Sequence, residues 1–71
     1  MSFKESFFGV VRTFDSIKGF GFIRRESGKD VFVFYDDILT RDRVLVEGDK
    51  VEFEIENMPK GPRARKVIKI S

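Results

Sequence analysis

An all-β fold, a small barrel of five short antiparallel strands, is what this sequence predicts, and three observations carry the prediction. Five runs are rich in β-branched and aromatic residues and are bounded by turn-forming residues. No segment holds the 3.6-residue period of a helix, so nothing is available to cover an open sheet. The cleanest run, VEFEIE (51–56), sets Val51, Phe53 and Ile55 against Glu52, Glu54 and Glu56, which gives a strand one apolar and one polar face. Short strands with a wet face and no helical cover bury their apolar side by closing on themselves.

The elements follow in order. FFGVVRTF (7–14) is strand-forming, and DSIKG (15–19) supplies turn chemistry. GFGFIR (19–24), the tight turn SGK (27–29) and DVFVFY (30–35) together read as a hairpin. DDILTRDRVLVEGDK (36–50) keeps neither period over most of its length and reads as a connecting loop, with Asp36 or Asp37 suited to cap one short helical turn. KVEFEIE (50–56) is the fourth strand. NMPKGPR (57–63) reads as a loop from its Pro, Gly and Asn, and ARKVIKI (64–70) is the last strand.

Composition bounds what such a barrel does. The 71 residues form one domain, 1–71, and a chain this short buries only about 60% of its unfolded surface, so each large apolar side chain left outside calls for a reason. With no cysteine and no histidine, the chain lacks disulfides, thiolate sites, the commonest metal ligand and the usual neutral-pH general base. No cofactor, metal site, small-molecule substrate or catalytic residue is expected. The start lacks an apolar signal core, and no run approaches the ~18 apolar residues of a membrane span, so a cytoplasmic location and no membrane partner are expected. Net charge is only +2, but its distribution is uneven. Carboxylates concentrate in EGDKVEFEIE (47–56), with cations before and after it, so a fold that joins the two ends builds a basic patch.

Five of the ten aromatic residues fall within KGFGFIRRESGKDVFVFY (18–35). Successive strand side chains point to opposite faces, so Phe20 and Phe22 share one face between Lys18 and Arg24, while Gly19, Gly21 and Ile23 share the other. On the partner strand Phe32 and Phe34 lie opposite Val31 and Val33. If the compact branched residues fill the interior, four phenylalanines stand outside as an interaction patch. Alternation alone leaves the reverse parity open, with the rings as core. VFVF is apolar on both faces, however, so one face needs a cover other than the interior of a small barrel. Rings interleaved with Lys and Arg suit single-stranded nucleic acid, because any base can stack while cations track the phosphates.

KGFGFI (18–23) and DVFVFY (30–35) resemble the two ribonucleoprotein motifs of the cold-shock domain family, in that family's order and spacing. GVVRTFDSIKGFGFI resembles its first two strands, VEGDKVEFEIE its fourth, and KGPRARKV its final loop and strand, so the similarity spans residues 9 to 68. The resemblance implies an OB-fold barrel that binds single-stranded RNA or DNA with low sequence preference, commonly as a nucleic-acid chaperone affecting transcription or translation. It places Phe20, Phe22 and Phe32 as stacking rings and Phe14 at the edge of the platform. It gives Arg12, Lys18 and Lys60 phosphate contact, and Asp30 a hydrogen bond to a base edge.

The departures from the family pattern are as telling. Thr13 stands where a Trp is usual, Phe34 where a His is usual, and Tyr35 where a Phe is usual. Strict alternation points Tyr35 away from Phe34, so its place on the platform requires a bend. LTRDRVL (39–45) lacks the usual glycine-flanked aromatic and offers Arg41 and Arg43 instead, which suggests a binder that leans on charge more than its relatives. Arg63, Arg65 and Lys66 are either surface charge or further phosphate contacts.

Other features read blandly. Glu52, Glu54 and Glu56 form a solvated strand face, Asp36 and Asp37 are cappers and not an acid–base pair, and GFGF precedes no helix that would cradle a phosphate. A second function class stays open: the same apolar face docking a protein or a second copy, with base binding weakened. A monomer is expected under the first reading and weak self-association under the second.

Overall fold

A computed structural model describes residues 5–70; residues 1–4 and Ser71, the two ends of the expected domain, lie outside the described residues. Five strands form: β1 (Phe7–Asp15), β2 (Phe20–Arg25), β3 (Val31–Phe34), β4 (Lys50–Met58) and β5 (Gly61–Lys69), with a 3₁₀ turn at Tyr35–Asp37. They close into a barrel in the order β1-β2-β3-β5-β4. Four seams are antiparallel, and the fifth, β3 against β5, is parallel with Phe32 beside Arg63. The parallel seam refines the antiparallel expectation on topological grounds. A ring with an odd number of strands cannot alternate direction all the way round, so two neighbours must run the same way.

Local chemistry explains the turns. Asp15 Oδ1 accepts the N–H groups of Ile17 and Lys18, both at 2.9 Å, and the Gly19 N–H donates to the Asp15 carbonyl at 2.7 Å. Gly19 has φ +78°, the left-handed region that a side chain disfavours, and this lets DSIKG reverse the chain tightly. The expected loop at 57–63 is corrected by the structure. β4 runs on to Met58 and β5 begins at Gly61, leaving only Pro59 and Lys60 between them. The Pro and Gly content marked a hairpin turn, and Pro62 is tolerated inside β5 because it lies near the start of that strand, opposite Asn57.

The interior is built of compact branched side chains. Ile23, Val31, Val33, Val51 and Val67 are all fully buried, with Phe53 the one aromatic ring wholly inside among the described residues. Ile38 and Leu45 from the long connection plug the core as well, and Ile38 bridges to Val67 of β5. The parity that puts Ile23, Val31 and Val33 inside therefore holds, and the phenylalanines between them face out. Each such burial contributes about 1.5–3 kcal/mol.

Among the described residues, one polar side chain sits in this interior. The Asp37 side chain is 2% exposed, accepts from Arg63 Nε at 2.9 Å and the backbone N–H of Phe34 at 3.2 Å, and forms an ion pair with Arg65 Nε at 2.9 Å. It thus ties the end of β3 to β5 across the parallel seam. Asp37 caps the short turn from inside it, while Asp36 instead pairs with Arg43 at 2.9 Å. Asp37→Ala leaves the Phe34 N–H unpaired and two guanidinium groups without their shared carboxylate. Because Arg63 and Arg65 are 28% and 46% exposed, water screens part of the loss, and about 2 kcal/mol is expected. In thermal unfolding that is a fall in Tm of about 8–16 °C. Asp37→Asn, which keeps an acceptor for Phe34, should lose less; equal melting of Asp37→Ala and wild type would refute the assignment.

Candidate nucleic-acid interface

The outward face of β2 and β3 carries the rings. Cross-strand register sets Phe20 opposite Phe34 and Phe22 opposite Phe32, so the four side chains form two facing pairs on one surface. Phe20 and Phe32 stack with centroids 6.0 Å apart, and Phe22 meets Phe32 edge-on at 5.9 Å. Phe32 is the hub that both other rings lean on. Phe22 remains 38% exposed and its three neighbours are half-buried, which leaves ring faces open to a flat ligand.

Tyr35 joins the patch by the bend that alternation demanded. β3 ends at Phe34, the 3₁₀ turn begins, and the two rings come to 4.8 Å with Tyr35 43% exposed. The Tyr35 N–H donates to the Gly19 carbonyl at 2.8 Å, so the β1–β2 turn holds this corner in place. Phe14 lies elsewhere. Register pairs it with Gly21, whose Cα lies on the inner side, and its half-buried ring packs against the core. Thr13 occupies the outer position beside Phe22.

Cations rim the rings. Lys18 is exposed in the β1–β2 turn with no ion pair among the described residues, and its backbone N–H is the chief reason the Asp15 carboxyl is held below its usual range. Arg12 reaches across β2 to Asp30 at 3.1 Å, a surface pair with Arg12 64% exposed. Such pairs are worth at most about 1 kcal/mol, so a phosphate can take the guanidinium and free the Asp30 carboxylate for a base edge. Lys60 stands at the tip of the β4–β5 hairpin, exposed. Arg63 and Arg65 are held by Asp37, and Arg65 also by Glu56 at 2.6 Å; the bond to Asp37 raises the pKa of Arg63 further. Both serve the barrel seam. In the long loop Arg43 is taken by Asp36, and Arg41 is exposed and unpaired among the described residues.

The 'Cold-shock' DNA-binding domain profile matches residues 7–70. The chain belongs to the cold-shock domain family. Nucleic-acid binding is the general function that goes with membership. Cold shock-like protein CspE of Escherichia coli K12 is 53% identical over 62 residues, covering 84% of this chain and 90% of that protein. CspE of Bacillus anthracis is 48% identical over 64 residues, covering 87% and 94%, and CspLB of Listeria monocytogenes 49% over 63, covering 87% and 96%. A solved structure of Drosophila Unr, described as CSD456, superposes with a TM-score of 0.80 at 22% identity, covering 96% of this chain and 28% of that one. That likeness concerns the fold, an OB-type barrel.

Within the cold-shock domain, sequence reasoning offered Asp37 as a cap for the turn but missed it as the carboxylate that pairs with Arg63 and Arg65 across the seam. Its partners lie 26 and 28 positions downstream, so no local pattern could reveal it. It also passed over Phe8, 59% exposed on the outer face of β1; the pair Phe7-Phe8 shows only that one of the two must point out.

Proposed function

We propose that this protein binds single-stranded RNA or DNA with low sequence preference and acts in the cytoplasm as a nucleic-acid chaperone, keeping strands open for transcription or translation. The observation that carries it is the outward aromatic patch of Phe20, Phe22, Phe32, Phe34 and Tyr35. Rings on a rigid sheet stack any base, at about 1–3 kcal/mol each, without reading its edge. Arg12, Lys18 and Lys60 hold the backbone, Arg41 adds a fourth cation from the loop, and Asp30 accepts from a base. Phe14 supports the platform from below, through the strand that carries Thr13. Residues 1–71 act as one domain, a monomer with no cofactor, metal, membrane or small-molecule partner and no enzymatic activity.

Titration with matched oligo-dT, oligo-dC and oligo-U tests the proposal. Saturable binding is expected for all three. With four phosphates neutralised by Arg12, Lys18, Arg41 and Lys60, the slope of log K against log salt should be about −3. Absence of saturable binding at low salt would sink the proposal, and self-association indifferent to oligonucleotide would favour a protein-docking role for the same face.

A further inference from the structure

We propose that the base-binding surface continues past Phe22, across β2 and β1, to a second single-strand subsite in which Phe8 stacks a base and Arg24 and Lys50 hold the phosphates beside it. This rests on the single-strand function proposed above and extends its footprint.

Arg24 follows Phe22 by two residues on the outer face of β2, and register places it beside Val10 of β1, which in turn lies beside Lys50 of β4. The result is a row, Arg24–Val10–Lys50, with cations at both ends and an apolar floor between them. Neither cation has an ion pair among the described residues. Phe8 lies two residues beyond Val10 on the same face, and at 59% it is more exposed than Phe22 or Tyr35. It borders a shallow groove of about 520 Å³ lined also by Val10, Arg24, Lys50 and Ile70. From Phe22 to Phe8 is about 14 Å along the sheet.

Two carboxylates fix how far a strand can go. Glu52 sits beside Phe8 on β4, and Glu26 lines the same groove. Phosphates therefore stay on the Arg24–Lys50 row, and only an uncharged base reaches Phe8. Charge also favours a strand over a second copy of the chain, which would bring its own Arg24 and Lys50 against this pair along with Glu26 and Glu52, whereas a strand brings phosphates without further cations.

Oligo-dT of about four and about ten nucleotides, within the span of one such barrel, separates the possibilities. Phe8→Ala and Lys50→Gln, both at exposed positions, should each weaken the ten-mer about fivefold or more and leave the four-mer within about twofold. Ten-mer affinity equal to wild type in both variants would overturn the subsite while leaving the platform intact. Failure of wild type to bind either oligonucleotide would overturn the function on which it rests. Concentration-dependent self-association in ultracentrifugation, abolished by Phe8→Ser with ten-mer affinity unchanged, would reassign the face to contact between copies.

Discussion

Gly21→Ala is expected to cost about 3 kcal/mol or more and to lower Tm by about 12 °C or more. A Cβ built at Gly21 would run into the Thr13 carbonyl oxygen and lie 2.7 Å from the Phe14 Cα and 2.9 Å from the Phe14 ring. The two nearest atoms are backbone, so no rotamer change relieves the contact, and β1 must be pushed off β2. A domain of 71 residues has roughly 4–10 kcal/mol of stability in all, so one methyl removes a large part of it. The same contact explains GFGF as a motif. The glycine is there to let β1 approach closely, and that approach stiffens the strand whose outer positions are Phe20 and Phe22. A Gly21→Ala melting curve within about 3 °C of wild type would refute this account.

How far the sequence could be read follows from the range of each signal. Period-two alternation is local, and it correctly assigned the inside and outside of β2, β3 and the start of β4, because those strands are regular over the residues concerned. It fails at a bulge. Val11 pairs with Ile23, but the next pair is Thr13 with Phe22, so Arg12 is an extra residue and every side chain after it changes face. Plain alternation from Val11 would turn Phe14 outward; the bulge turns it inward and presents Thr13 instead. Proline and glycine report that the chain turns, not how tightly, which is why 57–63 looked like a loop when only Pro59 and Lys60 turn. The fate of the arginines was the least legible part. Arg63 and Arg65 have the composition of phosphate contacts and the geometry of a seam, and only the fold brings Asp37 to them.

The bulge also sets up the second large effect, a loss at Phe32 and a gain at Thr13. Phe32 touches two other rings, so Phe32→Ala removes one stacking surface and unsupports its neighbours. Affinity for a short oligo-dT should fall by more than the value of a single base, about tenfold or more, with the barrel still folded because Phe32 faces outward. Thr13 is exposed on that same surface beside Phe22, at the position where the resemblance to the family pattern implies a Trp. Thr13→Trp should therefore add a base surface and tighten binding by about fivefold or more, and the new indole should report that binding by its fluorescence. The gain needs Phe22 beside it, so Thr13→Trp combined with Phe22→Ala should recover less than the two separate changes sum to. If Thr13→Trp leaves affinity unchanged while Phe32→Ala abolishes it, the strand passes over β2 and β3 only and does not reach β1. That outcome would also deny the path by which a strand arrives at Phe8, so this one variant ties the platform and its extension to a single test.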